Sequence, residues 1–153
     1  MPEGADAATE LRREHEEIEG LAARVASLGP SPERTRLIRD VSARFLAHTH
    51  AEERYLYPAL RRFLPDGSDD AIRQTRRDDA AEQIVRSIER AGELDDAYDA
   101  LVNQLVLDIH RHIEQQESVL LPALTGSCTR EEINNLGRQL RDRLRGDRPE
   151  TGG

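Results

Sequence analysis

An internal repeat constrains this chain more than any other feature. The segment HTHAEERYLYPAL at residues 48–60 returns as HIEQQESVLLPAL at residues 112–124, 64 residues further on. The correspondence extends upstream. His15 with Leu21, Ala22 and Val25 overlays Asp78 with Ile84, Val85 and Ile88 at an offset of 63. Self-similarity over two such stretches means that the chain is built as two equivalent helix pairs.

Apolar spacing places the helices. Leu11, Ile18, Leu21, Ala22 and Val25 recur at helical intervals, and the run stops at Leu28-Gly29-Pro30. Ser31-Pro32 offers an N-cap followed by Pro at the first helical position, and Leu37, Ile38, Val41, Phe45, Leu56 and Leu60 continue one stripe to about Phe63. After Leu64-Pro65-Asp66-Gly67, Ser68 is the expected cap of a third helix carrying Ile72, Ile84, Val85 and Ile88 to Gly92. A fourth helix runs from about Asp95 to Leu124. Thr129-Arg130-Glu131-Glu132 reads as a capping box opening a short fifth helix with Ile133, Leu136, Leu140 and Leu144.

The expected fold is therefore all-α: an up-down-up-down four-helix bundle over residues 8–124, a short C-terminal helix over 129–145, and a disordered tail over 146–153. Length agrees, because 153 residues suffice for one compact domain. With no Trp, two Phe and three Tyr, the core must come from Leu, Ile, Val and Ala. A net charge of -8 argues against a nucleic-acid partner, which needs Lys and Arg to displace counterions. Cys128 is the only cysteine, so no internal disulfide forms. Neither a signal-peptide core nor a membrane-spanning run is evident, and the expected location is cytoplasmic.

Helical phase then separates inward from outward polar residues. At about 100° per residue, His48 and Glu52 fall among Val41, Phe45 and Leu56, and His112 and Gln116 fall in line with Leu105, Ile109 and Leu120. His15 shares the buried face of Ile18 and Ala22. His50, His110 and Glu114 project away. By the same count Tyr55 phases close to His48, either as a hydrogen-bond partner of a ligand or as an ordinary core-edge Tyr, while Tyr57 points outward. Pro58 and Pro122 read as structural residues that bend or end their helices at the rim. Any one of these His residues fits a core imidazole satisfied by a neighbour. Together, His15, His48, Glu52 and His112 come from three helices, and ionisable groups converging in a core are costly unless a cation is bound.

These motifs resemble the hemerythrin-like, HHE cation-binding domains: a His on the first helix, His48-x-x-x-Glu52-Glu53-x-x-Leu56-Tyr57-Pro58, and its echo from His112 to Pro122. The resemblance implies two non-haem irons bridged by carboxylates and oxygen, used with dioxygen, peroxide or nitric oxide or for sensing them. The family's helix 3 His is replaced by Asp78, which reads equally as a ligand or as a solvated charge. A neutral Gln116 stands in line with Glu52. Glu117, five residues after His112, is either a compensating ligand or a partly exposed helix residue.

The expected metal residues are thus His15, His48, Glu52 and His112, with Asp78, Gln116 and Glu117 as further candidates. Extra carboxylate charge around iron favours the ferric state, so peroxide-consuming, catalase-like chemistry fits better than reversible oxygen carriage. The alternative is a bundle that has lost its metal and serves as an interaction or regulatory module, with the fifth helix meeting a protein partner.

Overall fold

The computed structural model describes residues 6–147. Five helices follow one another. Helix α1 is Ala7–Ser27; α2 is Pro32–Ala51, continuing through a π turn at Glu52–Leu56 into Tyr57–Phe63; α3 is Gly67–Ala91; α4 is Tyr98–Gln115, continuing through a π turn at Gln116–Leu120 into Leu121–Ser127; α5 is Arg130–Asp147. The first four form the expected bundle.

The helix ends follow local chemistry. Asp6 accepts from the Thr9 amide at 2.8 Å and Ser31 from that of Arg34 at 3.1 Å. Thr129 and Glu132 make the reciprocal capping box: the Thr129 amide donates to Glu132 Oε1 at 2.8 Å and the Glu132 amide to Thr129 Oγ1 at 3.1 Å. Ser68 is not a cap. Helix α3 starts one residue earlier, at Gly67, and Asp66 before it makes no side-chain cap bond. Gly67 is tucked against α2 so closely that a Cβ there would lie 1.7 Å from the Leu60 carbonyl oxygen. Helix α5 runs to Asp147, into the segment expected as tail; the rest of that segment lies outside the described residues.

Two apolar clusters divide the interior. One, towards the α2–α3 corner, joins Leu11, Leu56, Tyr57, Leu60, Leu121 and Leu124 to Ile133, Leu136, Leu140 and Leu144 of α5. The other joins Ile18, Val25, Phe45, Val85, Leu105 and Ile109. Helix α5 packs on α1, α2 and the first π turn. Its apolar face is thus used within the chain, which leaves only its polar side for any partner.

Both π turns end two residues before a proline, Pro58 or Pro122. Proline lacks an N–H and crowds the carbonyl four residues back, and widening the turn moves that carbonyl aside. In each case the amide before the proline reaches five residues back, Tyr57 to Glu52 and Leu121 to Gln116. The helices therefore continue past their prolines instead of ending there. The extra residue also rotates everything beyond it by about 100°. Tyr57, counted outward on an unbroken α-helix, is for this reason buried in the core.

Candidate metal centre

The polar residues of the interior lie at the waist between the two apolar clusters. On α1, His15 is placed between Leu11 and Ile18; on α2, His48 follows Phe45 by one turn and Glu52 opens the π turn; on α4, His112 follows Ile109. His15, His48, Glu52 and His112 are all buried, and one ligand atom from each lies within 4.8 Å of the others. The imidazole rings are mutually edge-on, with centroids 5.0 Å apart for His15 and His48 and 5.7 Å for His48 and His112. Octahedral ligands about 2.1 Å from one ion are themselves separated by roughly 3–4.2 Å, so the cluster is close to ion-sized.

The donors and acceptors of this cluster are poorly matched to one another. Glu52 Oε1 lies 2.9 Å from His112 Nε2 in a hydrogen bond. Glu52 Oε2 lies 3.1 Å from His48 Nε2, yet the two do not meet hydrogen-bond geometry and both are unpartnered, as are His48 Nδ1, Asp78 Oδ1 and Gln116 Nε2. Each orphaned buried atom costs about 1–3 kcal/mol. Around His15 the mismatch has a second form. Its Nδ1 lies 2.7 Å from Glu117 Oε2 and its Nε2 lies 3.0 Å from Gln116 Oε1. Burial, with repulsion from His48, lowers the His15 pKa to about 4, so near neutral pH the ring carries one N–H for two oxygen acceptors. A cation shared by the Nε2 and Oε1 lone pairs resolves the conflict, as does turning over the Gln116 amide. Three imidazoles, a carboxylate and an amide oxygen form a nitrogen–oxygen donor set suited to a first-row transition ion.

Electrostatics point the same way. Burial works to raise the Glu52 pKa, but the His48 and His112 imidazoles outweigh it and hold the carboxyl well below its usual range. Burial works to lower that of His112, and Glu52 outweighs it in the opposite sense. Glu52 is therefore an anion fixed among imidazoles.

Asp78, Gln116 and Glu117 stand outside the four-residue cluster. Glu117 is partly exposed and engages the outer nitrogen of His15. Asp78 is buried on α3; its Oδ1 lies 3.5 Å from His112 Nδ1, and its Oδ2 accepts a 2.6 Å hydrogen bond from the Tyr57 hydroxyl. Burial raises the Asp78 pKa to about 8. Both His15 and His112 thus direct Nε2 into the cluster and Nδ1 towards a carboxylate, an arrangement that fixes ring orientation in metal sites. Tyr57 was missed by helical phase, and Pro58 was the signal that the phase would break. Tyr55 is half-buried against the apolar cluster at the α5 end. His50 is exposed beside Glu82, and His110 is exposed beside Glu19, as phase predicted.

An all-helical bundle that gathers three imidazoles and a carboxylate, with unpartnered polar atoms, at a buried waist has the form of a metal-binding bundle. Residues 6–124 match the hemerythrin HHE cation binding domain, and the chain belongs to that family. It is similar in fold to the crystal structure of a hemerythrin HHE cation binding domain-containing protein from Mycobacterium kansasii. That likeness has 20% identity and a TM-score of 0.78, and covers 93% of this chain and 86% of the other. No curated protein matches the chain. Among the described residues no helix is long and apolar enough to cross a membrane.

Proposed function

We propose that this chain is a non-haem iron protein that reacts with or senses small oxidants such as peroxide, dioxygen or nitric oxide. The observation that carries the reading is the set of buried, unpartnered polar atoms at the centre of the cluster, His48 Nδ1 and Nε2 and Glu52 Oε2, beside a Gln116 amide whose Nε2 is also unpartnered. His15, His48, Glu52 and His112 would hold the first iron. A second iron, as in the family's two-iron pattern, would draw on Asp78, Gln116 and Glu117, which must turn away from their present partners; it should bind more weakly. Iron at this place supplies one-electron redox chemistry and an open position for a small ligand.

The protein's own groups prepare the site. Glu117 holds the outer nitrogen of His15 by a hydrogen bond, limiting its rotation, and Asp78 faces the outer nitrogen of His112 at 3.5 Å, an electrostatic contact that favours the same ring orientation. Glu52 provides negative charge in a water-poor interior, which favours the ferric over the ferrous state. Reversible oxygen carriage is disfavoured by that charge, and peroxide consumption is favoured. A metal-depleted interaction module is the weaker reading, because it leaves those buried atoms without partners.

The test is spectroscopic. Protein loaded anaerobically with ferrous iron, exposed to air and then purged, should stay oxidised and should consume added hydrogen peroxide. Repeated return to the starting spectrum on purging would identify an oxygen carrier and overturn the proposed chemistry.

A further inference from the structure

Solvent approaches the waist from one side. His48, Glu52 and Gln116 are wholly enclosed and His15 is 1% exposed, whereas His112 retains 6% and Asp78 3% of their surface. These two form the inner end of a cavity of about 570 Å³ between α3 and α4. Peroxide, dioxygen and nitric oxide are each comparable in size to a water, whose share of liquid volume is about 30 Å³. Sites for organic molecules are commonly about 300–1,000 Å³. The cavity is therefore far larger than the oxidants need.

Its lining is also more specific than a passage requires. Phe45, Ala81 and Val119 provide apolar wall, and Val119 leaves half of its surface exposed. Arg77 and Arg111 line the same cavity, and among the described residues no carboxylate pairs with either. The acids nearby are already engaged: Asp108 accepts from Gln104 at 2.7 Å, Glu114 lies 3.4 Å from His110, and Asp78 accepts from Tyr57. Two uncommitted guanidinium groups beside an apolar wall suit an anion with a planar head and a short hydrocarbon tail.

We propose that the α3–α4 cavity binds a small organic monocarboxylate next to His112, with Arg77 and Arg111 holding the carboxylate and Phe45, Ala81 and Val119 the tail.

Equilibrium dialysis of the full-length protein with labelled hexanoate tests this directly. One saturable site per chain is expected, with a Kd on the order of 1 mM or tighter. Hexanol, which lacks the charge, should bind at least about tenfold more weakly. The double variant Arg77→Gln/Arg111→Gln should lose about tenfold in hexanoate affinity. Ala80→Trp, placed at an exposed lining position where folding is spared, should block the site; helical circular dichroism of each variant verifies the fold. Absence of saturable binding overturns the proposal. Hexanol binding as tightly as hexanoate, or an affinity untouched by the arginine replacements, overturns the carboxylate assignment even if Ala80→Trp blocks the site. The same dialysis on metal-stripped protein should still show one saturable hexanoate site that the arginine replacements weaken, so failure here and failure of the iron reading are read separately.

Discussion

Tyr57 donates a 2.6 Å hydrogen bond to Asp78, and the other oxygen of that carboxylate faces His112 Nδ1 at 3.5 Å. A residue that simple helical phase turns outward thereby controls the acid behind a candidate metal ligand. Tyr57→Phe should weaken metal binding by about tenfold, the lower end of what outer hydrogen-bond partners of metal-bound His contribute. It should also lower stability by about 1 kcal/mol through the orphaned Asp78 oxygen. Chelator competition and urea unfolding measure the two effects. Unchanged metal affinity would show that Asp78 does not orient His112.

Gly67→Ala should be among the most damaging single substitutions outside the cluster. The new methyl would meet the Leu60 carbonyl oxygen at 1.7 Å, and backbone cannot yield as a flexible side chain can. A loss of about 1–3 kcal/mol or more is expected, read from the thermal midpoint. A Tm equal to that of the unaltered protein would mean that the α2–α3 corner is looser than described.

Acid should destabilise the metal-free protein through His15. Its folded-state pKa of about 4 lies below the unfolded value of 6.5. The unfolded chain therefore binds the extra proton first, and this stability, present above pH 6.5, is lost as pH falls towards 4. Asp78 acts with the opposite sign: its raised pKa contributes stability at low pH that is lost as pH rises through about 8. His112, also raised, likewise favours the folded state at lower pH. Comparing wild type with His15→Gln across pH 4–6.5 isolates the first contribution, on the order of 3 kcal/mol. Parallel stability curves for the two proteins would contradict a neutral buried His15.

Most of the fold was legible because the repeat and the apolar spacing report on the same helices. The inward positions of His15, His48, Glu52 and His112 followed from phase, since each lies on unbroken α-helix or at its end. Phase failed beyond the π turns, as Tyr57 shows. A sequence count assumes a constant rotation per residue, and Pro58 breaks it. The role of Ser68 was misread because the Gly67 contact with Leu60 is tertiary and leaves no local signal. Whether Asp78 and Glu117 touch metal or imidazole depends on distances across helices, and periodicity carries no such information.

The central claim, that the waist of this bundle is a metal site, is tested most directly by anaerobic equilibrium dialysis against ferrous iron, comparing wild type, His48→Ala and His50→Ala. His48 is fully buried with both ring nitrogens unpartnered, whereas His50, two residues on, is 47% exposed beside Glu82. Wild type and His50→Ala should each bind a first iron tightly and a second more weakly. His48→Ala should remain folded and helical and lose most of the bound iron. Wild-type protein that retains no iron, or equal loss in both variants, would contradict the account.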